Sequence, residues 1–248
     1  SYLLSKRFVL IYSFKINFLI LHTFFYFIIA QIIFVLLIAG VNIKDIKIFF
    51  YILYFLISTN LVLQFKDIKK IFISFFKNKN YNFLIYFFIF LFLLLLLISP
   101  VSDADSLDYH IGGPIDILRE GYFKNRGDHW FHFRLMGSGE MLNLYGLIFN
   151  SKNFGQIFQI IPIIHIMVVL NLVFKKNIKL TILLLFSSPI ILHLSLSAKH
   201  ILFLTSIYLL IFYIIKFLSK ELSKNKNLLY VLIFFNFIPI AFKYSYLI

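Results

Sequence analysis

The chain has 248 residues, of which 61% are hydrophobic, 20% aromatic and only 14% charged, and its mean hydropathy is +0.93. Soluble globular proteins average roughly 45–50% apolar and about 25% charged residues, so this composition excludes a disordered chain, an ordinary soluble enzyme and an ordinary nucleic-acid-binding domain. It predicts an all-α polytopic membrane protein. The absence of cysteine excludes disulfides and thiolate metal sites.

The net charge of +14 is unevenly distributed along the chain. Residues 101–155 hold seven of the ten acidic residues but only five basic ones, so the rest of the chain carries the positive excess. Most of these basic residues lie in short gaps between apolar runs, which is how membrane proteins fix their orientation. We therefore expect no nucleic-acid partner.

Seven apolar runs approach the ~20 residues that a helix needs to cross a hydrocarbon core about 30 Å thick. They extend over approximately residues 17–41, 48–65, 81–100, 156–174, 180–198, 200–217 and 228–248. Residues 1–248 are thus predicted to form a single transmembrane domain with about seven helices. The chain begins with Ser1 and Ile248 lies inside an apolar run, so we expect a fragment of a longer protein.

Lysine-rich gaps predict the orientation of these spans. The gaps 66–80, 175–179 and 216–226 are rich in lysine and should be cytoplasmic, together with the N-terminus. Alternation then places residues 42–47, 101–155 and 197–200 on the opposite side of the membrane. The segment 101–155 is accordingly predicted to be one large extracytoplasmic loop with short juxtamembrane helices.

Acidic residues open this loop. Asp103 and Asp105 form an Asp-x-Asp pair, which can chelate a divalent cation such as Mg or Mn, or supply a general base and the group that orients it. If a helix begins near Ser106, then Asp105 or Ser106 is its N-cap and Asp108 lies in its first turn. The alternative is that these acids only cap a helix at the water interface.

A juxtamembrane helix is predicted to follow. Ile111, Ile115 and Leu118 recur at the spacing of one helical face. Pro114 kinks this helix or starts its second half, and Gly121 is placed to end it.

The end of the loop offers further candidates. Asp128, His129 and His132 could ligate zinc, although the His-Glu-x-x-His pattern is absent. Ser138 and Glu140 predict the start of a helix that runs to about Leu147. Glu140 is then either a capping acid or a carboxylate of the site. The sequence contains no Gly-x-Ser-x-Gly elbow, phosphate-binding loop or dinucleotide fingerprint.

Basic residues elsewhere are predicted to face the same side. Lys199 and His200 lie between two apolar runs, and Lys243 lies in the outward part of the last run. A lysine in an apolar span usually has a partner, so Lys199 and Lys243 are expected to bind a phosphate or to pair with the loop acids. The alternatives are a plain turn residue for Lys199 and outward snorkelling for Lys243.

The loop resembles a known family of membrane enzymes. The run Asp105-x-x-Asp108-Tyr109-His110, then Pro114, a helix ending at Gly121, and Glu140-Met141-Leu142 before the next spans resemble the first large extracytoplasmic loop of bacterial GT-C glycosyltransferases. The similarity covers roughly residues 99–165. Here Ala104 separates the two acids that are adjacent in that family, and three spans rather than one precede the loop.

This resemblance implies a function at the outer face of a bacterial inner membrane, in the cell envelope. A sugar would pass from a polyprenyl-phosphate-linked donor to a lipid or glycan acceptor, with a loop aspartate, Asp103 or Asp105, as general base. The candidate catalytic residues are Asp103, Asp105 and Asp108. The candidate substrate-binding residues are His110, Arg134, Glu140, Lys199, His200 and Lys243.

Three other functions remain open from the sequence. An O-antigen polymerase or ligase also acts on lipid-linked glycans and carries a large outer loop with arginine and histidine. A transporter or channel should place polar groups in broken helices at mid-span, where this chain has almost no charge. A membrane subunit without chemistry is the remaining alternative.

Overall fold

The computed structural model describes residues 14–63, 91–92, 94–95, 97–123, 136–174, 178–219 and 226–242, and all regular structure in them is helical. The predicted all-α class is therefore confirmed. The helices are α1 Phe14–Ile38, α2 Ile43–Leu63, a π-helix Ser106–Ile111, α3 Gly112–Glu120, α4 Glu140–Ile148, α5 Phe154–Phe158, α6 Ile160–Val173, α7 Ile178–Phe186, α8 Pro189–Leu196, α9 Ile201–Phe217 and α10 Lys226–Phe242.

In the part of the chain that the structure describes, two helical stretches are long and apolar enough to cross a membrane. They are Leu19–Ile38 in α1 and Phe154–Val173, which combines α5 and α6. The apolar helices α9 and α10 are shorter. These stretches indicate association with a membrane, because each carries about the number of apolar residues that a bilayer core requires.

The distribution of side chains around the helices also suits a lipid environment. Large apolar side chains are exposed on α9 and α10, among them Phe212 and Phe237. Polar side chains such as Gln159, His165 and Ser206 are buried instead. Soluble monomers rarely expose extended apolar surfaces, whereas in a bilayer polar groups must be satisfied inside the protein.

Helix α1 packs against α4 in the centre of the described core. Its residues Ala30 and Ile33 are fully buried. Phe24 of α1 stacks on Phe234 of α10, with ring centroids 4.4 Å apart. Because α1 and α10 pack closely in this way, α1 is part of the helical core and not a separate anchor.

The predicted span 180–198 is divided into two short helices, α7 and α8. Ser188 caps α8, because its Oγ accepts a hydrogen bond from the backbone N–H of Ile191 at 3.4 Å. Pro189 occupies the first turn, where its missing N–H costs nothing and its fixed φ starts a new helix. The continuous span predicted here is therefore wrong in its middle.

The turn between α1 and α2 meets the end of α3. The backbone N–H of Ile43 donates to the carbonyl oxygen of Gly121 at 2.8 Å. Gly121 has φ +85° and its own N–H binds the carbonyl of Ile117, so it ends α3 as predicted. Two segments predicted to be extracytoplasmic, 42–47 and 101–155, are thus in direct contact.

Candidate functional site

Asp103 starts the helical segment that carries the candidate site. Its Oδ2 accepts hydrogen bonds from the backbone N–H of Ser106 at 3.1 Å and from Ser106 Oγ at 2.7 Å. Its carbonyl accepts from the N–H of Leu107 at 3.0 Å. Asp103 therefore has the geometry of an N-cap. The prediction that Asp105 or Ser106 caps this helix is wrong, because Asp105 has helical dihedrals and no side-chain capping bond.

The π-helix Ser106–Ile111 changes which residues share a face. Its hydrogen bonds span five residues instead of four, so each turn contains more residues than an α-helical turn. Asp105 and His110 are five residues apart. They consequently lie closer to the same face of the helix than residues five apart do in an α-helix. At the end of this widened turn, a Cβ on Gly112 would lie 2.9 Å from the carbonyl oxygen of Leu107, so the backbone there favours glycine.

Pro114 follows the π-helix and leaves one helical acceptor without its backbone donor. In an α-helix the N–H of residue 114 would bond to the carbonyl of His110, and proline has no N–H. The side-chain amide of Asn143 donates to this carbonyl at 2.8 Å. The same amide nitrogen lies 3.1 Å from the carbonyl oxygen of Ala198.

Lys199 binds both acids of the Asp-x-Asp pair. Its Nζ lies 3.2 Å from Asp103 Oδ2 and 2.8 Å from Asp105 Oδ2. Lys199 is 16% exposed, Asp103 23% and Asp105 56%. We call these three residues the carboxylate–lysine cluster. The pairing of Lys199 with loop acids, one of the two expected roles, is thus confirmed.

The cluster stabilises the charged forms of all three groups. The hydrogen bond from Ser106 and the contact with Lys199 lower the pKa of Asp103 below its ordinary value, although partial burial opposes them. The hydrogen bond from Lys199 likewise lowers the pKa of Asp105, and the charge of His110 acts in the same direction. Burial would lower the pKa of Lys199, but its bonds to the two carboxylates together raise it.

Side chains hold the turn that presents Lys199. The side-chain amide of Gln159 donates to the carbonyls of Ser197 at 3.3 Å and Lys199 at 2.5 Å. The amide of Gln156 binds the carbonyl of Leu196 at 2.7 Å. On the other side, the N–H of Ala198 donates to Ser106 Oγ at 3.2 Å. The two buried carboxamides therefore fix this turn to the end of α5, and the hydroxyl of Ser106 fixes it to the π-helix. These bonds matter because burying a backbone polar group without a partner is costly.

A second, buried pair lies in the same segment. His110 Nδ1 is 3.0 Å from Glu140 Oε1, and their side chains are only 4% and 2% exposed. Glu140 Oε2 accepts the backbone N–H of Gly137 at 2.9 Å. Tyr109 also hydrogen-bonds to Glu140, and burial together with this carboxylate raises the pKa of the phenol. Glu140 thus binds the backbone just before α4 and pairs with His110, another candidate site residue.

The remaining predicted residues lie at different places. His200 is buried, with its ring centroid 6.4 Å from that of His110. Asp108 is exposed on the π-helix and is not among the ion-paired residues of the cluster. Arg134, Lys243 and the proposed zinc ligands Asp128, His129 and His132 lie outside the described residues.

The two aspartates could hold a divalent cation only in competition with Lys199. In the part of the chain that the structure describes, no group of three His, Asp or Glu side chains is placed to hold a metal ion. Mg²⁺ binds through one or two carboxylates and takes its other oxygen ligands from water and substrate phosphates. Asp103 and Asp105 could supply those carboxylates if the ammonium of Lys199 moved away.

An apolar groove of about 500 Å³ runs along the same helical segment. Leu107, Ile111, Ile115 and Leu118 line it from the π-helix and α3. Lys152 adds a positive charge and, with Asn150 and Asn153, the polar part of the lining. Its size falls within the roughly 300–1,000 Å³ of small-molecule sites, and its walls suit a hydrocarbon chain.

Sequence reasoning missed the side chains that hold the site together. They are the carboxamides of Asn143, Gln156 and Gln159, which are all almost completely buried. The signal was available, because a carboxamide in an apolar run must find hydrogen-bond partners when it is buried. Local patterns offer no means of identifying those partners, which are backbone carbonyls up to 55 residues away.

One family model matches the chain. It is described as the DUF1420 N-terminal domain, and it matches residues 58–247, which include the π-helix, the carboxylate–lysine cluster and helices α3 to α10. Helix α1 precedes the matched residues. No curated protein and no solved structure matches this chain.

Proposed function

The chain belongs to the DUF1420 family, a name that assigns no activity, and we propose from the geometry of its site that it is a membrane glycosyltransferase. In this proposal a polyprenyl-phosphate-linked sugar is the donor, and a lipid or glycan hydroxyl at the extracytoplasmic face is the acceptor. The observation that carries the proposal is the contact of Lys199 with Asp103 and Asp105, at the start of a helical segment whose later residues line an apolar groove.

The proposed topology has seven spans, with the N-terminus in the cytoplasm of a bacterial cell and the loop 101–155 outside its inner membrane. The contacts within the chain support it. Gly121 of the loop binds Ile43 in the first outer turn, and Asp105 binds Lys199 in the third. Segments that lysine counting assigns to one side are therefore in contact with one another.

Asp105 is the better candidate for the general base. Asp103 already accepts two hydrogen bonds from Ser106 and caps the helix, so its role is to hold the helix start and Lys199. Asp105 is more than half exposed and has no capping bond. Although Lys199 binds it, its carboxylate stays ionised and accessible, so a bound hydroxyl can approach it as a proton acceptor.

The chemical step then follows from the charges in the cluster. Asp105 takes the proton of the acceptor hydroxyl while the hydroxyl oxygen bonds to the anomeric carbon of the sugar. The bond from that carbon to the phosphate oxygen breaks, and its electron pair stays on the polyprenyl phosphate. Lys199 offsets the negative charge on the phosphate, as ammonium groups do at phosphate sites.

The apolar groove supports a lipid-linked donor. Its apolar wall comes from the π-helix and α3, the segment that also carries Asp105 and His110. In the proposal the hydrocarbon chain of the donor lies in this groove, and its phosphate binds Lys199. Burial of an apolar chain gives roughly 25 cal/mol per Å², so the lipid part can supply binding energy while the sugar reacts.

A transfer assay with the purified chain in proteoliposomes tests the proposal. The donor is a radiolabelled polyprenyl-phosphate sugar, and envelope glycolipids serve as acceptors, with and without added Mg or Mn. We expect Asp105→Asn to reduce transfer by about 10²–10⁴-fold, the usual contribution of a general base. Asp116→Asn is the matched control, because Asp116 lies on α3 and pairs with the exposed Arg119.

Three outcomes would overturn the proposal. Transfer that is equal in Asp105→Asn and in the original chain would remove the catalytic role of this carboxylate. Movement of a solute across the bilayer without transfer of label would indicate a transporter. Absence of both activities with well-folded protein would indicate a membrane protein without chemistry of its own.

A further inference from the structure

We infer that His110 is a positioning residue for Asp105, and that Glu140 acts on Asp105 through His110. This inference rests on the proposed function and deepens it, because it explains how a base at the surface of the site is controlled by a pair buried beneath it. It concerns the ionisation and orientation of Asp105, which can be measured without any substrate.

The π-helix supplies the spatial relationship. Asp105 directly precedes Ser106–Ile111, and His110 is its fifth residue. Residues five apart in a π-helical turn lie close to one face, whereas in an α-helix they point well away from each other. The backbone therefore places His110 and Asp105 close to the same face of this helical segment.

Glu140 fixes the ring from the other side. With Nδ1 of His110 donating to Glu140 Oε1 at 3.0 Å, the ring cannot rotate without losing a buried hydrogen bond. Gly137 and Tyr109 hold the carboxylate of Glu140 in turn. Asn143 holds the carbonyl of His110 at 2.8 Å. Both the backbone and the side chain of His110 are thus anchored to α4 or to the turn before it.

The charges around His110 are consistent with this role. Two acidic residues, Asp105 and Glu140 of α4, lie around His110. Tyr109 keeps its proton. His200, just before α9, has its ring centroid 6.4 Å from that of His110. The ammonium of Lys199 and a positive charge on His110 lower the pKa of Asp105, whereas partial burial and the charge of Asp103 oppose them.

Infrared titration of the full chain in nanodiscs tests the inference. The protonated-carboxyl band of Asp105 is identified as the band that Asp105→Asn removes, and its midpoint is measured against pH. We expect His110→Gln to raise this midpoint by about one pH unit, because an opposite charge is lost. Glu140→Gln should raise it in the same direction, and Asp116→Asn should leave it unchanged.

The double variant distinguishes a shared route from two separate effects. If Glu140 acts through His110, then His110→Gln combined with Glu140→Gln should shift the midpoint no further than His110→Gln alone. An additive shift would overturn the route through His110. An unchanged midpoint in both single variants would overturn the whole inference. Glu140→Gln keeps the shape of the side chain, so it provides the test if His110→Gln does not fold.

The transfer assay separates this inference from the proposed function. If glycosyl transfer occurs, its acid limb should move to higher pH in His110→Gln by the same amount as the infrared midpoint. A shifted midpoint with no transfer in any variant would refute the glycosyltransferase and leave the control of Asp105 by His110 standing. If the midpoint of Asp105 does not change in His110→Gln while the original chain transfers sugar normally, only the influence of His110 on Asp105 is refuted.

Discussion

The side-chain amide of Asn143 lies 2.8 Å from the carbonyl oxygen of His110 and replaces a backbone donor that Pro114 does not have. The same amide nitrogen reaches the carbonyl of Ala198 at 3.1 Å. One carboxamide on α4 therefore joins the π-helix to the turn that carries Lys199. The two halves of the site, which are far apart in sequence, are aligned through this residue.

Replacement of Asn143 by leucine should destabilise the protein. Two buried carbonyls would lose a donor, and each unsatisfied group costs about 1–3 kcal/mol. We expect a loss of about 2–4 kcal/mol in the free energy of unfolding, allowing for partial relaxation. Unfolding in mixed detergent micelles, followed by circular dichroism, measures this difference.

The same substitution should cost less in a Pro114→Ala background, where the backbone N–H restored at position 114 can donate to the carbonyl of His110. Asn236→Leu is the control, because the side-chain amide of Asn236 donates to the carbonyl of Leu232 in its own helix. Equal losses of unfolding free energy with and without the Pro114→Ala change would show that the Asn143 amide does not compensate for the proline.

Stability at low pH should depend on Asp103. Its folded-state pKa lies below the ordinary value of 3.8, so the ionised carboxylate stabilises the folded protein above that pH. This contribution is lost as the pH falls through the lowered folded-state pKa. Asp103→Asn should therefore lower the melting temperature at neutral pH, and the difference from the original chain should shrink below about pH 4.

Melting temperatures measured from about pH 6 to about pH 3 give this comparison. Asp116→Asn serves as the control, since Asp116 forms a 3.6 Å contact with an exposed arginine and such surface pairs contribute little. A melting-temperature difference for Asp103→Asn that stays constant over this range would contradict the role of its ionised form.

Gly137→Ala should be strongly destabilising. A Cβ at this position would overlap the carbonyl oxygen of Phe242 and lie 2.7 Å from its carbonyl carbon. These are backbone atoms of α10, so relief of the clash requires moving a helix. Overpacking in a well-packed interior costs about 1–3 kcal/mol, and the shift would also disturb the N–H that binds Glu140.

Gly40→Asn is the matched control for this glycine substitution. Gly40 has φ +80° and nothing lies within 4 Å of a Cβ placed there, and asparagine adopts this conformation more readily than most residues. Similar losses of unfolding free energy for Gly137→Ala and Gly40→Asn would indicate that the contact with Phe242 is looser than the structure shows.

The helices were predictable because apolar runs and breakers are local signals. Gly121 ends its helix as the sequence indicates, and residues 14–38 form a helix where the first apolar run is located. The break at Ser188-Pro189 was missed, because the hydropathy of 180–198 remains high across it. Serine before proline is nevertheless a recognisable start of a new helix.

The composition of the site was partly predictable, and its hydrogen bonding was not. Asp103, Asp105 and Lys199 were identified as unusual charges, and their pairing was one expected outcome. Asp103 caps the helix instead of Asp105 because the helix begins at Ala104, two residues before the start that the sequence predicts. No periodicity in six residues reveals the π-helix that follows. The hydrogen bond between His110 and Glu140 spans 30 residues, and only the packing of α4 against the π-helix brings them together.

Cysteine labelling tests most directly whether Asp103, Asp105 and Lys199 lie on the extracytoplasmic side of the membrane. The chain contains no cysteine, so Ser102→Cys, at an exposed position beside Asp103, and Asn78→Cys, in the lysine-rich gap, each introduce one reactive thiol. We predict that a membrane-impermeant maleimide labels Ser102→Cys in intact cells and labels Asn78→Cys only after permeabilisation. The reverse pattern would place the carboxylate–lysine cluster in the cytoplasm and contradict the proposed transfer at the outer face.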